Sequence, residues 1–371
     1  MKIPSPCFVL DEEKLIQNLQ LIDHVQKSAE IEIILAFKGF AMWSAFPTVR
    51  KYVKGATASS LNEVRLCNEE MEVESHTYCV AYSDDEFDEI VAKSSHITFN
   101  SLAQYQRFID RVPEKVSVGL RVNPEWSDVE TDLYNPSSPV SRLGITSENL
   151  EELPDRVEGL HFHVLCESDS HALENVLKAF EKRFGHFLSG IKWVNMGGGH
   201  LMTRKGYDTD HLIKLLSDFR KKHDIHVILE PGSAFAWQTG NLHTKVLDVV
   251  ENGGKKTAIF DGSFTCHMPD CLEMPYRPKL ENGSDVKVEG WHPYRLGGVS
   301  CLAGDFLDEY WFEKPLAVGD SIVFKDMIHY TMVKTSTFNG VKHPSIGIIK
   351  QGGSFELIRE FGYDDFKNRL S

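Results

Sequence analysis

The chain reads as an α/β protein: a (β/α)8 barrel of TIM type followed by a smaller β-rich (sandwich- or barrel-like) domain. Three observations point there. Short apolar runs alternate with helical patterns between residues 31 and 229, and parallel strands need crossover helices, so such alternation favours a parallel sheet. Unusual polar residues stand at the ends of these runs, where barrels of this type keep their active sites. After Pro231-Gly232 the runs shorten and are separated by Gly-Asp and Asn-Gly turns, which mark a β-rich region.

The strand signals, in order, are Ile31–Phe37, Tyr52–Ala58, His76–Ala81, His96–Phe99, Val116–Val122, Leu160–Leu165, Ile191–Met196 and Val227–Leu229. Helices between them carry start signals. Ser60 with Glu63 resembles a capping box, and Asn100-Ser101 precedes the run from Leu102 to Ile109. His171–Phe187 and Asp208–Phe219 repeat apolar residues at three- and four-residue spacing. The β-rich region offers Thr244–Val250, Lys256–Phe260, Val286–Glu289, Ser321–Phe324 and Pro344–Ile349. At the other end, Cys7–Leu10 is a strand signal that could join the barrel, followed by a helix over Glu12–Val25. The expected barrel domain is 28–235, with 1–27 and 236–371 forming the second.

Composition narrows the function. The formal charge of −14 argues against nucleic acid and anionic membranes and favours small cationic ligands. No run approaches the length of a membrane span, and the N-terminal segment lacks a signal-peptide core, so a cytoplasmic location is expected. Seven scattered cysteines show no paired framework, which suits a reducing compartment.

Four features at strand ends form a chemical set. Lys38 directly follows the first strand, where burial would lower its pKa and free its amine as a nucleophile. His163 lies in Gly159-Leu-His-Phe-His-Val-Leu165, and alternation points it and His161 to one side. Gly197, Gly198 and Gly199 follow the seventh strand and could close backbone N–H groups around a phosphate. Glu230 ends the eighth strand ahead of Pro231 and Gly232. Singly, each has a plainer reading: a snorkelling lysine, a common glycine turn, a loop-capping glutamate. Together, amine, aromatic base, phosphate cradle and carboxylate are the parts needed to hold and run pyridoxal phosphate. A rival assembles a metal site for a barrel hydrolase from His161, His163, His200 and Glu230, but it leaves Lys38 and the glycines unexplained. In the second domain Asp261 and Asp305 suit the amines of a substrate, and Cys301 lies in a Gly-rich loop.

Taken in order, Ala36-Phe-Lys-Gly39, His163, Gly197-Gly-Gly199, Glu230-Pro-Gly232, Asp261-Gly262, Cys301 to Asp305 and Tyr330 resemble the alanine-racemase-fold pyridoxal-phosphate decarboxylases. Ser141-Arg-Leu-Gly144 and Thr337-Phe-Asn-Gly340 add smaller matches. Two departures resemble the branch that decarboxylates carboxynorspermidine or carboxyspermidine, rather than the diaminopimelate or ornithine branches. His163-Val-Leu-Cys-Glu167 stands where those have His-x-Gly-Ser, and Ser233 replaces an arginine. The resemblance implies that Lys38 carries the cofactor, Glu230 pairs with its ring nitrogen, and His163 stacks on the ring. It places the phosphate at Gly197–Gly199, Gly232, Ser233 and Tyr330. It implies a homodimer with shared sites, in which Cys301 reprotonates the substrate carbon. Asp261, Asp305, Glu167 and Glu230 would then receive the substrate, with no metal required.

Overall fold

The first strand of the parallel sheet is too short to pair on both sides at once, and the way it splits closes the barrel. The computed structural model describes residues 2–128, 135–273 and 276–371. The chain starts with β1 (Cys7–Asp11) and a helix over Glu12–Ala29. The first barrel strand follows in two pieces, β2 (Glu32–Ile33) and β3 (Leu35–Ala36). Next come β4 (Ala56–Ala58), β5 (Ser75–Tyr78), β6 (Ser94–Phe99) and β7 (Ser117–Arg121). They are followed by β8 (Val157–His161), β9 (Trp193–Asn195) and β10 (His226–Leu229). All pair in parallel in the order β2-β10-β9-β8-β7-β6-β5-β4-β3. β2 pairs with β10 while β3 pairs with β4, so the chain switches partners at Ile34, whose N–H reaches Leu229 O at 2.9 Å.

Local chemistry starts the crossover helices as the sequence leads one to expect. Ser60 Oγ accepts from Glu63 N, Ser101 from Gln104 N, and Asp169 from Ala172 N, each filling an otherwise orphaned first-turn donor. At the N-terminal end of the strands, Trp193 fills the interior. A side-chain carbon at Gly159 would lie 2.0 Å from its ring and one at Gly119 2.3 Å from it. Trp193 Nε1 donates to Ser117 Oγ at 2.9 Å, so the indole is packed on both glycines and held at its polar edge.

The second sheet is β11 (Gly240–Asn252), β12 (Lys255–Phe260), β13 (His292–Gly297), β14 (Phe306–Phe312), β15 (Ser321–Lys325), β16 (Ser345–Ile349) and β17 (Phe355–Arg359). β1 belongs to this sheet, not to the barrel: it runs antiparallel to β11 and parallel to β16. Val286–Glu289 is not a strand; the strand here begins at His292, beyond the Gly290 turn with its φ of +81°. By contact density the chain divides into Met1–Leu15 with Ala236–Ser371, and Ile16–Phe235. Among the described residues no helix is long and apolar enough to cross a membrane.

The Trp193 arrangement is testable. Gly159→Ala should destabilise the barrel by about 1–3 kcal/mol through overpacking, read as a lower urea midpoint. A companion Gly190→Ala, where an added carbon meets nothing within 4 Å, should change stability far less.

Candidate active site

Within the barrel unit, the strand ends bring a carboxylate, an amine, two imidazoles and a guanidinium together. Glu230 follows β10 and is 7% exposed. Its Oε1 accepts from Asn195 Nδ2 at 2.7 Å, and its Oε2 lies 3.6 Å from His161 Nε2, too long for a hydrogen bond. Burial alone would push the carboxyl upward, but His161, Lys38 and the Asn195 bond outweigh it and hold the pKa at about 2. His161 is itself held below the usual histidine value by burial, so at neutral pH the imidazole is uncharged. The Lys38 amine and the Asn195 bond add to the effect of His161 in favouring the ionised carboxylate.

Lys38 follows β3 on a tight turn, Gly39 N and Phe40 N both donating to Ala36 O. That turn is pressed on the Glu230-Pro231-Gly232 segment. Ala36 N donates to Pro231 O at 3.1 Å, and a carbon added to Gly39 would lie 2.7 Å from Gly232 Cα. Lys38 is solvent-exposed, not sealed in. Surrounding protein still lowers its pKa by desolvation, against the opposing pull of Glu230.

β8 ends at His161, so strand alternation does not extend to His163. His163 sits in the following loop, where its Nδ1 accepts from Gly198 N at 2.8 Å. Burial, then Lys38 and Arg121, keeps its pKa well below the ordinary value, leaving a neutral ring with its proton on Nε2. The glycine turn differs from its expected role. Gly198 N is bound to His163, and Gly197 N donates to Asn195 Oδ1 at 2.9 Å. Two of the three N–H groups are therefore already engaged. What the turn needs from glycine is conformation and space: φ is +69° at Gly197 and +86° at Gly199, and a carbon at Gly199 would meet Leu165 O at 2.1 Å.

Several residues were not singled out by their sequence context. Asn195 ties Glu230 to the glycine turn with both ends of one amide. Arg121, at the end of β7 and 4% exposed, stacks 4.6 Å over the Tyr78 ring and donates to His163 O at 3.4 Å. Tyr78 donates to Asn100 Oδ1, which also accepts from Gly144 N in the Ser141–Gly144 segment. A buried Asn or Arg inside a strand gives no pattern of its own; only the partners reveal the task. Cys166 lies close enough to Lys38 for the two to perturb one another, and burial pushes its thiol up to about 11. Glu167 takes a φ of 49°, and Ser233, 8% exposed, opens the turn after Gly232. His200 is buried and does not join His161, His163 and Glu230 in a ligand cluster; among the described residues the only such group of three lies elsewhere. The hydrolase reading therefore lacks its geometry.

In the sheet unit, Asp305 is 4% exposed and its carboxylate is filled from its own surroundings. Ser263 Oγ, Ser300 N and Ser300 Oγ donate to Oδ2, and Thr265 N donates to Oδ1. It therefore organises a loop, with its Oδ2 fully engaged, instead of presenting an open carboxylate to a substrate amine. Cys301 on that loop is exposed, and its N–H donates to Asn339 Oδ1 at 2.8 Å. Asp261 accepts from Lys245 N at 2.9 Å, and Tyr330 has a φ of 48°.

Comparison with known proteins shows the family of the chain. The family model described as "Pyridoxal-dependent decarboxylase, C-terminal sheet domain" matches residues 7–328. The chain belongs to the pyridoxal-dependent decarboxylase family. It is a pyridoxal-phosphate-dependent carboxy-lyase with a parallel barrel and a C-terminal sheet. Similar relatives include a carboxyaminopropylagmatine decarboxylase of Synechocystis sp., 53% identical over 99% of this chain and 96% of that protein. A carboxynorspermidine/carboxyspermidine decarboxylase of Campylobacter jejuni is 45% identical over 99% of both. The crystal structure of a Campylobacter jejuni carboxynorspermidine decarboxylase complexed with norspermidine matches with a TM-score of 0.92 and 44% identity. That match covers 99% of this chain and 100% of the other.

The residues present fit the cofactor. An ionised, buried carboxylate suits a protonated ring nitrogen, an accessible amine of lowered pKa suits an aldehyde, and a turn without Cβ atoms leaves room beside them.

Two outcomes check the carboxylate. Because the folded value of about 2 lies below the ordinary 4.5, ionised Glu230 adds stability above about pH 4.5, lost as pH falls toward 2. Denaturant midpoints measured across that window should fall less steeply in Glu230→Gln. Asn195→Ala strips one hydrogen bond from a buried anion and should cost about 1–3 kcal/mol in the same assay.

Proposed function

We propose that this enzyme decarboxylates carboxynorspermidine to norspermidine and carboxyspermidine to spermidine, as a cytoplasmic homodimer with shared active sites. The observation that carries the substrate class is the full-length similarity to the Campylobacter jejuni enzyme and to its norspermidine complex. The Synechocystis relative favours a second reading, a substrate in which a guanidinium replaces the distal amine. The two share a carboxyaminopropyl end and differ only in the far cation, and the acidic charge balance of the chain suits either. Free cysteines throughout, with none paired, accord with a reducing compartment.

Bound pyridoxal phosphate supplies an aldehyde for amines and a ring that accepts electron density. Lys38 is the residue to carry it, with its amine crowded by protein and facing the Glu230 charge. Glu230 would hold a proton on the ring nitrogen, and Asn195 fixes the carboxylate for that task. His163, neutral and anchored through Nδ1, would hold the cofactor ring by packing against it. The Gly197–Gly199 turn, Gly232 and Ser233 would hold the phosphate, and the family resemblance adds Tyr330 to them. Cys301 of the partner subunit delivers a proton to the substrate α-carbon; its loop is shaped by Asp305 and Asn339. Asp261 and Glu167 receive the distal amines, while Asp305 stays with its loop.

Carbon dioxide release from carboxynorspermidine, carboxyspermidine, carboxyaminopropylagmatine, diaminopimelate and ornithine, measured side by side, tests the substrate. One of the first two should give the highest kcat/KM, and a preference for diaminopimelate or ornithine would overturn the assignment. Borohydride should fix the cofactor on a peptide containing Lys38, and Lys38→Ala should lose both label and activity. Mixing Lys38→Ala with Cys301→Ala subunits should restore activity; mixed dimers that stay inactive count against sharing.

A further inference from the structure

Outside the active site, the helices that follow β8 and β9 place a second set of polar groups together. The helix Ser170–Phe184 carries His171 and Glu174, three residues apart and so on one face. The neighbouring helix Thr209–His223 carries His211. One ligand atom from each of the three lies within 4.8 Å of the others. The two imidazoles stack with centroids 4.3 Å apart and planes 23° from parallel. His211 Nε2 is 3.4 Å from Glu174 Oε2.

Two neighbours preset these groups. His211 Nδ1 is 2.9 Å from the hydroxyl of Ser170, which is fully buried, so its other nitrogen is turned toward Glu174. That is the outer hydrogen bond which orients metal-bound histidines. Lys178 Nζ holds Glu174 Oε1 at 2.8 Å, leaving Oε2 on the histidine side.

We propose that His171, Glu174 and His211 form a binding site for a divalent metal of zinc, nickel or copper type. Two imidazoles and one carboxylate suit that class better than the all-oxygen preference of magnesium or calcium. Bonds near 2.0–2.1 Å place tetrahedral ligand atoms about 3.4 Å apart, the separation already present between His211 and Glu174. His171 is exposed and free to close the remaining gap by side-chain rotation. Positive helix N-termini oppose a cation here. Their first-turn donors are capped by the carboxylates of Asp169 and Asp208, which offset that field. Occupied, the site staples together the helices that follow the His163–Glu167 and Gly197–His200 loops.

The test titrates zinc chloride into the cofactor-loaded enzyme by calorimetry, beside His171→Ala, His211→Ala and Glu174→Gln. One equivalent per chain should bind, weakened at least tenfold in each histidine variant. Without metal, the variants should keep the parent's decarboxylase activity, and zinc should raise the melting temperature only of the parent. Cobalt(II) in place of zinc should give visible bands without thiolate charge transfer. Unchanged affinity in both histidine variants, or a thiolate band showing metal at the free cysteines, would overturn the site.

Discussion

A carboxylate with almost no access to water sets the terms for the barrel. Leaving Glu230 charged in that position is costly unless donors and cations surround it, and the surrounding residues answer that requirement. Asn195 supplies a hydrogen bond, Lys38 a nearby charge, and His161 a polar edge. The same asparagine fixes Gly197, Gly198 fixes His163, and Arg121 reaches the carbonyl of His163. From one buried anion, a chain of contacts thus extends to the amine, the His163 ring and the glycine turn. Donors and charges fixed around a carboxylate in this way are how a site favours charge development without reorganising.

The second unit uses a buried carboxylate differently. Asp305 is consumed by four donors within its own loops, and what it produces is shape: a fixed platform for an exposed thiol. Two acidic residues in Gly-rich loops look alike on paper, yet their chemistry depends on whether donors from the same chain reach them first.

Periodicity and helix-start residues made the barrel legible, since apolar runs at regular spacing admit few other closures. All eight expected strand regions contain barrel strands, but most strands are shorter than their apolar runs because pairing stops before hydrophobicity does. That is why His163 lies in a loop although its run continues to Leu165. Val286–Glu289 misled because an apolar–polar alternation without a neighbouring edge to bond to stays irregular. Strand partners were illegible for Cys7–Leu10, whose choice of sheet depends on residues hundreds of positions away. Within the site, Lys38, the glycines and Glu230 stood out because they are rare at strand ends. Asn195 and Arg121 did not, since ordinary polar residues acquire a role only through geometry.

β1 lies between β11 and β16, and this has a consequence for biogenesis. β1 leaves the ribosome long before β16 and must wait for it before its hydrogen bonds are complete, whereas every barrel strand is available once Leu229 has emerged. The sheet therefore finishes late, over a long loop closure that is slow by its nature. Until then an apolar edge, Cys7 to Leu10, stays unpaired on the nascent chain.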